Sequence, residues 1–470
     1  MTPDEFRALG HELIEWVATY RERLATLPVR SPVRPGDVRA RLPASPPEAG
    51  GGLAGIVDAL ATVVEPGVTH WNHPRFFAYF PSNTDLSSVL ADLVGAGLGV
   101  QGMSWETSPA ATEVEEVMMD WLRQLLGLSA AWTGVIHDTA STATLCALLC
   151  ARERATGLGQ ERGGLQDGAP PLVVYASAQA HSSVTKAALL AGFGRDHLRW
   201  IDVDGERALR PDHLAAAIAA DRAAGRRPCA VVATVGTTAT TAIDPVAAIA
   251  AIAGRERLWL HVDAALAGTA MILPECRPLW AGVEDADSLV LNPHKWMGTG
   301  FDLSAYYVRD VQHLIQVMGT NPSYLRTAHD GEVSNFRDWH IQLGRRFRAL
   351  KLWFLLLDAG AEGLRARLRR DLANARWLAD QVDAAPGWER TDPVRLQTVC
   401  LRHVPPGLDA AAVDAHNQAL AARVNESGAA YLTPSRVDGV QILRVSIGAL
   451  GTERTDVAAL WDLLQAEAAR

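Results

Sequence analysis

The pentapeptide Asn292-Pro293-His294-Lys295-Trp296 places a lysine directly after an apolar run. The run predicts a buried strand, so Lys295 lies at the carboxyl end of that strand. A primary amine in such a place can form a Schiff base with an aldehyde cofactor. A surface lysine whose stem lies along apolar groups is the competing interpretation.

A carboxylate ends the apolar run from Leu258 to Asp263. In sheets flanked by helices, ligands bind beyond the carboxyl ends of the strands. There Asp263 can hold a proton on the ring nitrogen of a pyridine cofactor, and the protonated ring accepts electrons from a breaking bond. Alternatively, Asp263 caps the segment that follows it.

Thr139, Ala140 and Ser141 follow the apolar pair Val135-Ile136 at a predicted strand-to-helix junction. Hydroxyls and free backbone N–H groups at a helix start suit a phosphate. An ordinary N-cap is the alternative. The junction is therefore a candidate phosphate site.

Two further polar residues, His181 and Thr238, also follow predicted strands. The imidazole of His181 can stack on a planar ring, or it serves as a structural hydrogen-bonding group. The hydroxyl of Thr238 can reach a cofactor at the same edge. An amine, a carboxylate, a phosphate-binding turn, an imidazole and a hydroxyl at the ends of successive strands match the parts of pyridoxal 5'-phosphate (PLP).

The elements that must position these residues alternate between apolar runs and amphipathic or alanine-rich stretches. Such alternation predicts an α/β layer with a mostly parallel sheet. The predicted strands are 172–176, 230–235, 258–263 and 288–292, and the predicted helices between them are 182–191, 211–224 and 244–253.

Outside that region the pattern changes. Apolar residues recur at helical spacing over 1–25, and a stretch rich in proline and glycine over 28–52 predicts an irregular arm. After about residue 350 a smaller α+β domain is expected. It would contain a helix in two parts, 345–358 and 360–380, and strands near 398–403 and 441–447.

Composition narrows the class of protein. The chain has 470 residues, 48% of them hydrophobic, and its net charge of −9 comes from mixed signs without a basic stripe, so nucleic acid is not an expected partner. We expect neither a secretory signal nor a membrane span. Five scattered cysteines in apolar surroundings predict buried reduced thiols in a cytoplasmic protein, and no metal site is expected. These are Cys146, Cys150, Cys229, Cys276 and Cys400.

The chain resembles the group II PLP-dependent decarboxylases, and within them the aromatic-L-amino-acid decarboxylases, nearly end to end. The resemblance implies PLP fold type I, as in aspartate aminotransferase. It implies an N-terminal helical arm and dimerisation segment (1–80), a large PLP-binding domain (81–350) and a small C-terminal α+β domain (351–470). It also implies a homodimer with active sites at the interface. The segments that carry it are His70-Trp71, Phe76 to Pro81, Ser104 to Trp121, Ala180 to Ser183, Gly236 to Thr238, His261 to Ala265, Asn292 to Trp296 and Leu343 to Arg348.

The resemblance also assigns roles. Lys295 is the Schiff-base lysine, Asp263 pairs with the pyridinium nitrogen, and His181 stacks on the ring and helps to hold the substrate carboxylate. Tyr324 matches the tyrosine of a mobile catalytic loop, although without the resemblance it would be a plain surface tyrosine. The other implied cofactor contacts are Thr139, Ala140, Ser141, Thr238, Ala265, Asn292, His294 and, approaching from the partner subunit, Leu343. The implied substrate contacts besides His181 are Trp71, Tyr79, Phe80, Pro81, Ser82, Gln101, Met103, His294 and Gly344.

Some positions depart from the family pattern. Asp138 stands beside the phosphate turn where animal members carry glycine, and we expect its carboxylate to point away. Gln101 and Met103 replace an apolar and an aromatic residue in the part of the pocket that comes from the partner, so we expect them to govern substrate choice. Gly344 matches the glycine that accompanies indolic substrates in plant relatives.

We therefore expect decarboxylation of an aromatic L-amino acid, of the tryptophan, 5-hydroxytryptophan, DOPA, tyrosine or phenylalanine class, to the amine and CO2. An aromatic aldehyde synthase is the first alternative, but Tyr324 and His181 are the residues that accompany amine formation. A glutamate decarboxylase needs a cation for the distal carboxylate, which 78–81 does not offer. An aminotransferase needs an arginine for the α-carboxylate, and we can assign no arginine of the sequence to that role. A non-catalytic scaffold would not keep every cofactor position.

Overall fold

The computed structural model describes residues 1–320, 329 and 331–470. The chain divides into two compact units. The central unit comprises Ser82–Leu372 and Asp392–Thr398, and the terminal unit comprises Met1–Pro81, Ala373–Thr391 and Val399–Arg470.

Strands and helices are numbered in chain order. The strands are β1 (Phe76–Phe77), β2 (Thr133–His137), β3 (Leu172–Ser177), β4 (Leu198–Ile201), β5 (Arg227–Thr234), β6 (Trp259–Asp263), β7 (Ser288–Leu291), β8 (Ser304–Val308), β9 (Trp388–Arg390), β10 (Thr398–His403), β11 (Tyr431–Val437) and β12 (Val440–Ser446). The α-helices are α1 (Pro3–Arg23), α2 (Ile56–Ala59), α3 (Leu86–Leu98), α4 (Pro109–Leu126), α5 (Ala140–Thr156), α6 (Ser182–Leu190), α7 (Pro211–Ala223), α8 (Val246–Glu256), α9 (Val311–Met318), α10 (Ala349–Ala384), α11 (Ala410–Glu426) and α12 (Arg454–Ala468).

The central unit contains a seven-stranded sheet in the order β2-β8-β7-β6-β5-β3-β4. The pairs from β7 to β4 are parallel, whereas β8 is antiparallel to both of its neighbours. Every residue of β3, β6 and β7 is buried, as expected for strands of a parallel sheet covered on both faces. The prediction of a mostly parallel sheet is confirmed, and the three helices predicted between its strands correspond to α6, α7 and α8.

Local residues explain where the helices begin and end. The side chain of Ser108 caps α4 by accepting a hydrogen bond from the N–H of Ala111 at 3.2 Å, and Gly127 ends that helix at a φ of 75°. Gly360, at a φ of 60°, interrupts α10. This position lies at the junction of the two predicted helices, 345–358 and 360–380.

The terminal unit contains a five-stranded sheet in the order β1-β11-β12-β10-β9. Its first helix, α1, begins with a capping box between Thr2 and Glu5. The hydroxyl of Tyr20 at the other end of α1 lies 2.7 Å from Nδ1 of His70. The stretch 28–52, which lies between Tyr20 and His70 in the chain, contains only the short 3-10 turn Arg39–Arg41. This agrees with the predicted irregular arm.

No helix among the described residues combines the length and the apolar composition that crossing a bilayer requires.

Candidate active site

One edge of the central sheet collects the ends of several strands. Asp263 at the end of β6 pairs with Thr234 at the end of β5 and with Val290 in β7. Because β2 and β7 are both antiparallel to β8, the end of β2 reaches the same edge, where His137 pairs with Ser304. The predicted carboxylate, lysine and phosphate turn therefore lie at one edge, where ligands bind in such sheets.

Lys295 lies in a short helical turn, Pro293–Met297, just beyond β7. Its side chain is partly buried. Its N–H donates to the carbonyl of Asn292 at 2.9 Å, and its carbonyl accepts from Nδ2 of Asn83 at 3.0 Å. Asn292 is itself held, because its Oδ1 accepts from the hydroxyl of Ser304 at 2.6 Å. The backbone that carries the amine is thus fixed on both sides.

The Asp263 carboxylate is buried, with only 4% of the residue exposed. Its Oδ1 accepts from the N–H of Ala265 at 3.0 Å, which orients the carboxylate. Ala265 in turn accepts from the N–H of Asn292 at 2.8 Å through its carbonyl. These bonds tie the predicted pyridinium partner to the segment that carries Lys295.

The imidazole of His181 lies within electrostatic range of Asp263 and Lys295. Burial lowers its pKa, and in smaller measure the Asp263 carboxylate raises and the Lys295 ammonium lowers the same pKa. Its Nδ1 accepts from the N–H of Ser183 at 3.1 Å and caps α6. In the neutral ring the proton therefore lies on Nε2, which is left for a ligand.

The turn after β2 leads into the start of α5. Thr139 is the N-cap residue in extended conformation, but its hydroxyl caps no N–H. Because the first N–H groups of a helix have no partner within it, this end can receive an anion. The carboxylate of Asp138 faces the same turn, since its Oδ1 accepts from the N–H of Thr139 at 2.7 Å. The prediction that Asp138 points away is therefore wrong.

The turn after β5 presents Thr238 to solvent. Gly236 has a φ of 85°, and a Cβ there would lie 2.6 Å from Cβ of Ala267, so only glycine fits. The hydroxyl of the neighbouring Thr237 is buried and accepts from the N–H of Ala242 at 3.0 Å. Thr237 therefore serves the turn, and Thr238 is the hydroxyl available to a ligand.

His294 is buried beside Lys295 and is neutral. Its Nδ1 accepts from the N–H of Leu303 at 3.1 Å, and its ring meets that of Phe301 edge to face at 4.8 Å between centroids. Burial, helped by the charge of Lys295, lowers its pKa to about 3. At neutral pH its Nε2–H is thus a donor without charge.

These groups fit PLP. A buried carboxylate suits a pyridinium nitrogen, a partly buried amine suits an aldehyde, and a flat imidazole suits a ring face. The start of α5, where the hydroxyl of Thr139 caps no N–H, suits a phosphate. Each part of the cofactor finds a matching group at one sheet edge. Among the described residues no cluster of three metal-ligating side chains is found.

The predicted aromatic substrate contacts of the terminal unit form a cluster. Trp71 and Tyr79 stack at 5.6 Å with 17° between their planes, and both are partly exposed. Tyr431 meets Tyr79 edge to face at 6.0 Å, and the guanidinium of Arg444 lies 4.3 Å from the ring centre of Phe80. Pro81 is buried at the end of this segment.

In the central unit the structure brings Gln101 and Gly344 into contact. A Cβ at 344 would lie 3.0 Å from Nε2 of Gln101. Oε1 of Gln101 accepts from the N–H of Arg345 at 2.7 Å, and the carbonyl of Met103 accepts from the N–H of Arg337 at 2.8 Å. Two residues that the sequence singled out separately are therefore neighbours.

For three further predicted residues the structure gives only their exposure or their position in the chain. Ser141 is exposed on the first turn of α5, Leu343 is 47% exposed, and Ser82 begins the central unit. Tyr324 lies outside the described residues.

Three residues that contact predicted site residues were missed by the sequence reasoning: Asn83, Tyr431 and Arg444. Tyr431 and Arg444 lie more than 350 positions from Tyr79, and no local pattern marks them. Asn83 is fully buried and follows a proline-containing turn. A buried amide of this kind is recognisable only from the Lys295 carbonyl to which it donates.

Comparison with known proteins gives the same assignment. The pyridoxal-dependent decarboxylase conserved domain matches residues 35–404. The chain is 38% identical to phenylacetaldehyde synthase of Arabidopsis thaliana, covering all of this chain and 96% of that protein. It is 39% identical to aromatic-L-amino-acid decarboxylase of Sus scrofa, covering all of this chain and 97% of that protein.

A solved structure agrees with the fold. The crystal structure of Oryza sativa TDC with PLP and tryptamine matches with a TM-score of 0.96 at 36% identity, covering all of this chain and 98% of that one. The predictions of PLP fold type I, of PLP as cofactor and of a decarboxylase are confirmed. The chain belongs to the family of pyridoxal-dependent decarboxylases.

Proposed function

We propose that this enzyme decarboxylates an aromatic L-amino acid to the amine and CO2. The observation that carries the proposal is the meeting of Asp263, Lys295, His181 and the open start of α5 at one sheet edge. The aromatic class is supported by relatives named for aromatic amino acids. Tryptophan, 5-hydroxytryptophan, DOPA, tyrosine and phenylalanine are the candidate substrates.

When bound, PLP supplies an electron sink for the pair released as the bond from Cα to the carboxylate breaks. Asp263 would hold a proton at the pyridine nitrogen and so sustain that sink, and Lys295 would hold the cofactor through its Nζ. The first turn of α5, with Thr139, Ala140 and Ser141, would bind the phosphate, and Asn292 and Thr238 would contact the cofactor nearby.

Orientation and proton delivery complete the proposal. His181 would stack on the cofactor ring and, through Nε2, would hold the substrate carboxylate in the orientation that its departure requires. His294 lies beside the substrate as a neutral donor. The hydroxyl of Tyr324 delivers the proton to Cα, which gives the amine.

Substrate contacts are proposed for the aromatic cluster and for the contact between Gln101 and Gly344. Trp71, Tyr79 and Phe80 would contact the aromatic side chain of the substrate. Gly344 has no side chain, and the amide of Gln101 lies close to where a Cβ would be. Gly344 matches the glycine that accompanies indolic substrates in plant relatives, and tryptamine is the amine bound in the rice structure. Pro81, Ser82 and Met103 remain proposed substrate contacts, and Leu343, approaching from the partner subunit, remains a proposed cofactor contact.

An aldehyde synthase is the second candidate, because a phenylacetaldehyde synthase is 38% identical to this chain. Such an enzyme combines the amino acid with O2 and water and releases the aldehyde, CO2, ammonia and hydrogen peroxide. Tyr324 and His181 both favour the amine.

Product analysis tests the proposal. Purified PLP-loaded enzyme is incubated with each aromatic candidate and with glutamate, and CO2, amine, aldehyde and peroxide are measured. We expect amine and CO2 in equal amounts and no peroxide. Aldehyde and peroxide as main products would establish the second candidate, and CO2 from glutamate alone would overturn the aromatic class.

We further propose a homodimer, with 1–80 as a dimerisation segment. Large apolar side chains at positions 86, 90, 93, 94 and 98 of α3 form one helical stripe, and each is 43–60% exposed. No residue of α1 is buried within the chain. Exposed apolar surface of this kind is typical of an interface. A cytoplasmic location is proposed because all five cysteines are free and buried.

A further inference from the structure

Asp138 occupies the turn that joins β2 to α5, the proposed phosphate site. Its carboxylate accepts from the N–H of Thr139 at 2.7 Å. The backbone N–H of the N-cap residue therefore already has an anionic partner supplied by the chain. A cofactor phosphate at this helix start would need the same amide or its immediate neighbours.

No cation neutralises Asp138 among the described residues. The guanidinium of Arg345 is engaged by Glu115 at 2.6 Å, and that of Arg348 by Asp302 at 3.0 Å. Both arginines are close enough to influence His137, the residue before Asp138, but each has its own carboxylate. The negative charge of Asp138 is thus left at the turn.

Two anions would share the positive end of α5 when a phosphate is bound. A phosphate dianion gains from the helix dipole and the free N–H groups, and so does the carboxylate. Like charges a few ångströms apart repel, and at the dielectric of a partly buried site the repulsion is worth on the order of a tenfold change in affinity.

We propose that Asp138 is an affinity-setting residue that competes with the cofactor phosphate and weakens PLP binding, so that occupancy of the enzyme follows PLP supply. The inference rests on the proposed phosphate position at α5. Asp138 acts on binding alone and takes no part in the breaking of the substrate bond.

Two variants separate charge from geometry. Asp138→Asn keeps an oxygen acceptor for the Thr139 N–H and removes the charge, whereas Asp138→Ala removes both. Asp310→Asn is the matched control, because Asp310 also accepts from a backbone N–H at a helix start, that of His313 in α9. It follows the end of β8, at the opposite edge of the sheet.

The experiment titrates the apoenzyme with PLP, with pyridoxal, which lacks the phosphate, and with inorganic phosphate. Cofactor binding is followed by absorbance and phosphate binding by calorimetry. For Asp138→Asn and Asp138→Ala we expect PLP and phosphate to bind about tenfold more tightly, which is about 1.4 kcal/mol. Pyridoxal affinity should not change, and Asp310→Asn should match the unmutated protein for all three ligands.

Equal tightening for PLP and pyridoxal would overturn the inference, because the effect would not pass through the phosphate. Unchanged PLP and phosphate affinities in both variants would also overturn it. Failure of the proposed function would give a different result. The variants would still bind PLP more tightly with unchanged affinity for pyridoxal, but the unmutated protein would release no CO2 from aromatic amino acids.

Discussion

A charge in the apolar stripe of α3 should separate the proposed dimer. Leu90 is 49% exposed, and the other four apolar side chains of the stripe are 43–60% exposed. Full burial of such a side chain is worth about 1.5–3 kcal/mol, so covering the exposed half contributes about 1 kcal/mol per side chain. Five side chains on each of two subunits give about 10 kcal/mol before the costs of association. Leu90→Asp removes the contribution of one leucine, about 1 kcal/mol, from each of the two subunits. It also buries two carboxylates, which costs several kcal/mol for each carboxylate.

The expected loss exceeds about 4 kcal/mol, which corresponds to dimerisation weakened at least about a thousandfold. Sedimentation velocity over a concentration series measures the dissociation constant directly. Leu408→Asp is the control, because Leu408 is similarly exposed at 44% and precedes α11, outside the stripe. A Leu90→Asp protein that stays dimeric at the concentrations where the control does would refute the assignment of α3 to the interface.

Three further perturbations follow from the geometry. Gly344→Ser should change the ratio of the kcat/KM values for tryptophan and tyrosine, since a Cβ at 344 would lie 3.0 Å from Nε2 of Gln101. The change should be smaller when Gln101 is also replaced by alanine, and an equal change with and without Gln101→Ala would contradict the contact. Burial lowers the pKa of Lys351 from 10.5 to about 8, so the unfolded chain binds more protons between these values. The unfolding free energy of the unmutated protein should therefore rise with pH from about 8 to about 10.5 relative to that of Lys351→Met. If urea unfolding gives a difference in free energy between the two proteins that is the same at every pH in that range, the prediction is wrong. Tyr324→Phe should move product from amine toward aldehyde and raise peroxide output, and an unchanged product ratio would remove Tyr324 from the proton route.

The parallel core of the sheet was predictable because its strands are buried on both faces and are therefore continuous apolar runs. β8 is just as buried but was not predicted, and its antiparallel direction depends on the chain returning beyond Lys295, which no local pattern encodes. The break in α10 was also predicted, between the parts 345–358 and 360–380, and the structure places it at Gly360, whose positive φ is a conformation that glycine adopts readily.

The site divides in the same way. Asp263 and Lys295 lie at the ends of predicted parallel strands, so sequence order alone places them at one edge. Thr139 reaches that edge only because β2 and β7 are both antiparallel to β8. The contact between Gln101 and Gly344 joins positions 243 residues apart and could be found only from the fold. The side-chain direction of Asp138 was predicted wrongly. An acid was expected to avoid an anion site, whereas the N–H of Thr139, which has no partner within the helix, donates to this carboxylate.

The Schiff-base role of Lys295 can be tested directly because the chain contains few lysines. There are three: Lys186, Lys295 and Lys351. Lys186 is exposed on α6, and Lys351 is buried with its Nζ donating to the carbonyls of Gly300 and Asp302, each at 2.9 Å. The PLP-loaded protein is reduced with borohydride, digested and mapped by mass spectrometry.

We expect one phosphopyridoxyl group per chain, on the peptide that contains Lys295. Lys295→Ala should lose the label, the visible cofactor absorbance and CO2 release together, whereas Lys186→Ala should keep all three. A stoichiometric label on Lys186 or Lys351, or CO2 release that survives Lys295→Ala, would exclude Lys295 as the Schiff-base lysine.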